Sequence, residues 1–135
     1  MEDNQKIIYG VIDFIEKNLS EKLSLEDIAK IAGYSKYHLH RMFLSKVGCT
    51  IHQYIRKRRL TEAARKLVTT EKTIFEIALD CGYETQQSFT FAFTNFYGIS
   101  PLIYRKIGEF KPLELNYIKS KEQRNMFKCY GEMVA

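Results

Sequence analysis

Residues 25–34 read LEDIAKIAGY, and residues 74–83 read IFEIALDCGY. Both follow the pattern apolar-x-x-Ile-Ala-x-x-x-Gly-Tyr, at an offset of 49 residues. One residue further on, the offset becomes 50, and Leu39, Phe43, Gly48 and Tyr54 then pair with Phe89, Phe93, Gly98 and Tyr104. Each copy describes a short amphipathic helix, a glycine turn and a second helix, which is the helix-turn-helix pattern. One such pattern is a weak signal. Two in register, joined by a basic helical stretch, are a much stronger one.

The rest of the chain extends this frame into an all-α fold of seven helices. In QKIIYGVIDFIEKNL, the residues Ile7, Ile8, Val11, Ile12, Ile15 and Leu19 form one apolar stripe and predict a first helix. Ser24 reads as the N-cap of a second helix whose inner face carries Leu25, Ile28, Ala29 and Ala32, with Gly33 as its stop. A third helix is expected from about Ser35 to Val47. Thr50, with Gln53 at the third position, opens a long basic fourth helix, IHQYIRKRRLTEAARKLV. Thr73 and Glu76 form a capping-box signature before a fifth helix that Gly82 closes. TQQSFTFAFTNFYG supplies a sixth, and Ser100-Pro101 caps a short seventh.

Charge narrows the partner. Formal net charge is +5 over 135 residues. Between Lys36 and Lys66 there are nine Lys or Arg and one acid, Glu62, so this span alone carries +8. Such a stretch is either a solvated face or a surface for phosphates. Cys49, Cys81 and Cys129 are odd in number, far apart and without CxxC spacing, which points to buried packing in a reducing compartment rather than to a disulfide framework. The opening MEDNQK lacks the character of a signal peptide, and the longest apolar run is far short of a membrane span. No glycine-rich phosphate loop, convergent carboxylate pair or nucleophile motif is present, so no enzymatic activity is expected.

The two second helices of the repeats present unusual outer faces. At about 100° per residue, Phe43 and Met42 fall within about 60° of Leu39 and belong to the core. Tyr37, His40 and Arg41 point the other way. In the second repeat, Phe89 and Phe93 take the core positions, and Gln87, Thr90 and Phe91 stand where Tyr37, His40 and Arg41 stand in the first. Arg bridges guanine O6 and N7, Gln pairs with adenine, and an apolar edge meets the thymine methyl. His38 lies on the opposite flank of the helix from His40, which makes a poor zinc site and suits packing or a phosphate contact. Neither a metal nor a cofactor is expected.

LSLEDIAKIAGYSKYHLHRMF, GCTIHQYIRKRRLTEAARKL, IFEIALDCGYETQQSFTFAF and FYGISPLIYRK together resemble the AraC/XylS family of bacterial transcription regulators. The likeness is to the small stand-alone activators of the multiple-antibiotic-resistance and superoxide-response type, and to the DNA-binding half of their larger relative with a C-terminal effector-like domain. The resemblance implies a monomer on double-stranded promoter DNA, with its two helix-turn-helix subdomains in adjacent major-groove segments, and recruitment of RNA polymerase. It places base reading on Tyr37, His40 and Arg41 and on Gln86, Gln87, Ser88 and Phe91, to which the outward-face argument adds Thr90. Backbone contacts are expected from Ser35, Lys36, His38, Arg56, Lys57, Thr85 and Arg105. The chain departs from the family pattern in three places. Tyr37 stands where the pattern has Trp, His40 where it has Gln, and Phe91 where Arg is frequent, so the binding sequence is not transferable from relatives.

The expected organisation is a DNA-binding domain over 1–107, made of a first helix-turn-helix subdomain (5–49), a linking helix (50–68) and a second subdomain (69–107). Residues 108–135 read as a linker or tail, or as the beginning of a larger C-terminal domain. The expected location is the bacterial cytoplasm, at the nucleoid. The competing reading is a helical protein-interaction module whose basic surface meets an acidic protein.

Overall fold

The structure, a computed structural model, describes residues 2–111. Seven helices lie among them: α1 (Glu2–Lys17), α2 (Leu25–Ala32), α3 (Lys36–Val47), α4 (Ile51–Thr69), α5 (Ile74–Asp80), α6 (Gln86–Tyr97) and α7 (Pro101–Ile107). The described residues form two compact units that divide within α4, one up to Arg56 and one from Lys57 onward. Of the expected linker or tail, residues 112–135 fall outside the described residues.

In the first unit α1, α2 and α3 pack on one another. Ile8, Val11 and Ile15 of α1 are buried with Ile28 and Ala29 of α2 and with Leu39, Met42, Phe43 and Val47 of α3. The stripe read from the sequence is therefore the core face, but α1 stops at Lys17, before Leu19. The stop has a local cause: the Asn18 side-chain amide donates to the Phe14 carbonyl at 2.8 Å, and the Asn18 backbone N–H turns back to Ile15. The Ser24 hydroxyl accepts from the Asp27 N–H and starts α2. At the head of α4, Thr50 and Gln53 cap each other reciprocally at 3.0 and 2.9 Å.

The second unit repeats several local features of the first. Gly33 and Gly82 hold left-handed φ angles of 81° and 85°, and the N–H groups of Tyr34 and Tyr83 return to Ala29 and Ala78, five residues back in each case. Phe43 meets Tyr54 edge-on at 5.8 Å, and Phe93 meets Tyr104 edge-on at 5.5 Å. Around Phe93 the second unit adds Phe89 at 5.7 Å and Tyr97, stacked at 4.7 Å. The capping box of Thr73 and Glu76 is formed. α5 ends at Asp80 with Cys81 as its cap, and Gly82 follows in the left-handed turn.

The glycine pair invites a test. A left-handed backbone costs a residue with a Cβ roughly 1–2 kcal/mol, so Gly33→Ala and Gly82→Ala are each expected to lose about that much stability. Gly82→Ala should be the worse of the two, because its Cβ would lie 3.3 Å from the Arg59 guanidinium, whereas at Gly33 it would meet nothing. Urea denaturation of the two variants gives the comparison, and equal losses would mean that Arg59 gives way without cost.

Ion pairs tie α5 to its surroundings. Asp80 accepts from Lys72 at 2.8 Å and Lys66 at 3.2 Å. The hydrogen bond from Lys72 leads the causes that hold the Asp80 carboxyl below its ordinary range. The Thr73 cap does the same for Glu76. A depressed carboxylate pKa contributes stability that is present above the unfolded value and lost as pH falls through the folded one. Thermal stability is therefore expected to fall on acidification below about pH 4. Asp80→Asn should flatten that slope only modestly, because the carboxylate and both lysines that pair with it keep part of their surface in water. A pH series of melting curves checks it.

Candidate nucleic-acid interface

Each unit mounts one helix behind a serine or threonine cap, with its apolar side locked in the core. In the first unit, Ser35 accepts from the His38 N–H at 3.2 Å and opens α3. Leu39 and Phe43 are fully buried, which fixes the rotation of the helix. The opposite side then faces out: Tyr37 is 69% exposed, Arg41 is exposed and His40 is half-buried. The Lys36 ammonium lies over the Tyr37 ring at 5.4 Å, a cation–π contact. His38 is exposed and stacks on Tyr34 at 5.0 Å, so its ring is held against the preceding turn, on the helix flank. α3 carries Lys36, Arg41 and Lys46 and no acid. Its N-terminal amides and dipole add to that positive potential.

In the second unit, Thr85 accepts from the Ser88 N–H at 3.0 Å and opens α6. Phe89 and Phe93 are fully buried, and Phe91 between them is 70% exposed. Gln86, Gln87, Thr90, Phe91, Thr94 and Asn95 line one shallow open groove along the helix. Ser88, expected to read bases, is exposed and also serves the cap. Its hydroxyl donates to the Thr85 carbonyl at 3.0 Å and accepts from the Thr85 hydroxyl at 2.8 Å, so it is engaged in the cap. Thr94 and Asn95 were not among the residues singled out from the sequence. The signal was present in the spacing, since Asn95 follows Gln87 and Phe91 at successive four-residue steps along one face.

The cations sort less simply than a charge count suggests. Lys57 was expected at the phosphates, yet its side chain is completely buried, and in this arrangement it presents nothing to a backbone. Arg105, expected in the same role, donates from Nε to the Leu67 carbonyl at 2.9 Å and from its terminal nitrogen to the Thr70 carbonyl at 3.3 Å. It satisfies carbonyls at the C-terminal end of α4, a structural duty that a helix terminus calls for. Glu62 engages Arg65 at 2.9 Å and Arg58 at 3.6 Å. Desolvation pushes the Arg59 guanidinium down from its ordinary value, although Cys81 and Tyr83 oppose the shift. Arg56 is half-buried. Of the backbone candidates, Ser35, His38 and Thr85 are exposed and Lys36 is half-buried.

Cys49 and Cys81, the two cysteines among the described residues, are buried. Burial pushes the Cys81 thiol up to about 12, and its S–H donates to the Arg59 carbonyl. Among the described residues, no three His, Cys, Asp or Glu are placed to hold a metal, and no helix is long and apolar enough to cross a membrane.

Residues 28–107 match a family model described as a helix-turn-helix domain. The chain is 46% identical over 99 residues to the HTH-type transcriptional activator AarP of Providencia stuartii, covering 73% of each protein. It is 43% identical over 98 residues to the multiple antibiotic resistance protein MarA of Salmonella typhimurium, covering 73% of this chain and 77% of that one. Among solved structures it resembles a transcriptional regulator with an AraC-type DNA-binding domain from Chromobacterium violaceum. That likeness has a TM-score of 0.73 and 30% identity, and it covers 78% of this chain and 95% of the other.

Proposed function

The chain belongs to the AraC/XylS family of helix-turn-helix transcription regulators, and from that premise we propose that it binds promoter DNA as a monomer and activates transcription. As a member of that family it is a sequence-specific DNA-binding regulator and not an enzyme. The observation that carries the finer reading is the pair of capped helices, one in each unit of a single chain. Their outer faces differ, with Tyr37, His40 and Arg41 on one and Gln87, Thr90 and Phe91 on the other. Two unlike reading helices in one chain remove the need for a second subunit and for a palindromic site. Residues 5–49 and 69–107 are the two subdomains in this reading, 50–68 the linking helix, and 108–135 a linker or tail.

Base reading is assigned to Tyr37, His40, Arg41, Gln86, Gln87, Thr90 and Phe91, with Ser35, Lys36, His38, Arg56 and Thr85 toward the phosphates. Activation is favoured by the relative AarP, which is named a transcriptional activator; recruitment of RNA polymerase at promoters in the bacterial nucleoid is its natural route. The test is selection of bound duplexes from a random pool, followed by footprinting and sedimentation of the complex. An asymmetric site of about two helical turns, occupied by one chain, is expected. Two chains on a palindromic minimal site would refute the monomer. Preference for an acidic protein with no duplex selectivity would favour the interaction-module reading instead. Log affinity should fall with log salt, but with a slope well short of eight neutralised phosphates, because several cations of the basic span are buried or paired.

A further inference from the structure

The two outward faces differ in chemical kind. α3 carries three cations, whereas α6, reading QQSFTFAFTNFY, carries no charged residue at all. On those faces Lys36 of the first repeat is replaced by Gln86 and Arg41 by Phe91, while the place of Lys46 is taken by the buried Phe96. The Phe91 ring is 70% exposed, and the groove around it defines the chemistry that the ring can meet. Amides and hydroxyls of Gln86, Gln87, Thr90, Thr94 and Asn95 line the groove about it, and none of them is charged.

We propose that α6 is a dedicated reader of A·T pairs, in which Phe91 covers a thymine C5-methyl group and Gln87 and Asn95 bracket it as adenine readers. This rests on the DNA-binding reading above. Gln and Asn form paired hydrogen bonds with adenine N6 and N7, and an apolar side chain meets the thymine methyl, whereas guanine is read chiefly by Arg or Lys, which α6 lacks. Gln87, Phe91 and Asn95 stand at four-residue steps on one stripe. At about 1.5 Å per residue the stripe is roughly 12 Å long, about the rise of three to four base pairs. The first unit, with Arg41 and its cationic helix, then carries guanine reading and most of the electrostatic attachment. Asn95 thereby becomes a specificity-determining residue one turn beyond those expected from the sequence.

The test deletes a methyl group from the DNA. On the selected site, each thymine is replaced singly by deoxyuridine, which removes only the C5-methyl. The unmodified protein is expected to lose about fourfold at one position in the second half-site, the fold-change that corresponds to ~0.8 kcal/mol for one buried methyl. Phe91→Ala should bind more weakly and no longer respond to that replacement. Its response to replacements in the first half-site should be unchanged. Asn95→Ala should relax the preference for adenine by about tenfold at a base pair other than the one Phe91 governs. Both side chains are exposed, and circular dichroism melts of the variants should match the parent. Uridine insensitivity throughout the second half-site overturns the proposal while leaving the DNA-binding reading intact. So does sensitivity that persists in Phe91→Ala, or a second half-site selected for G·C. Absence of any duplex preference sinks both readings together.

Discussion

Changing Phe93 to Ala is expected to cost about 3–5 kcal/mol of stability, the usual loss for a large aromatic removed from a packed core. The ring is fully buried and touches Phe89, Tyr97 and Tyr104 at centroid distances of 5.7, 4.7 and 5.5 Å. Aromatic pairs of this kind add about 0.5–1.5 kcal/mol each beyond the area they bury, and a single substitution breaks three of them. Two residues earlier on the same helix, Phe91→Ala should stay within about 0.5 kcal/mol of the parent, because that ring is already in water. The pair isolates the rotation of α6. Chemical denaturation followed by circular dichroism supplies both numbers. Similar losses for the two would mean that α6 does not present the face assigned to it, and the groove around Phe91 would cease to be a candidate surface.

The rotation of α6 was legible in the sequence because the repeat supplied a second copy to check it against. Leu39 and Phe43 align with Phe89 and Phe93, and all four are fully buried. Caps were legible for a related reason. Ser24, Thr50, Thr73 and Ser100 act through hydrogen bonds that span only three residues of the chain. The basic span was not legible in the same way. Arg56, Lys57, Arg58 and Arg59 are consecutive, and at about 100° per residue four consecutive positions sweep roughly 300° of a helix. On a helix buried over as wide an arc as α4, a run of that length has to send a member inward, and Lys57 is the one. A charge count gives no sign of which. The long side chain also hides the answer, since its methylene stem packs as an aliphatic residue does. The structural part played by Arg105 was hidden for a different reason. Its partners are the Leu67 and Thr70 carbonyls, 38 and 35 residues away, and only the tertiary fold brings them into reach.

The cations that do face out make the sharpest test of the site. Arg41→Ala is expected to cost about 1–3 kcal/mol on the preferred duplex, the worth of a bidentate guanine contact, and little on random DNA. The side chain is exposed on α3, opposite Leu39 and Phe43, and its loss should leave the fold untouched. Preference should relax at one or two base pairs in the half-site read by the first unit. Lys36→Ala makes the contrast. Lys36 lies in the first turn, beside the Ser35 cap, and under the proposed phosphate role its removal should weaken specific and random binding alike and lower the salt slope by about one ion. The reverse exchange on the other helix, Phe91→Arg, should raise binding to all DNA through charge and move the local preference from thymine toward guanine. All three are read by competition titration against single-base-pair variants of the selected site at fixed salt. Equal losses on specific and random duplexes for Arg41→Ala would reduce that arginine to a phosphate contact. The base-reading assignments of Tyr37 and His40, which rest on the same outward face, would then fall with it.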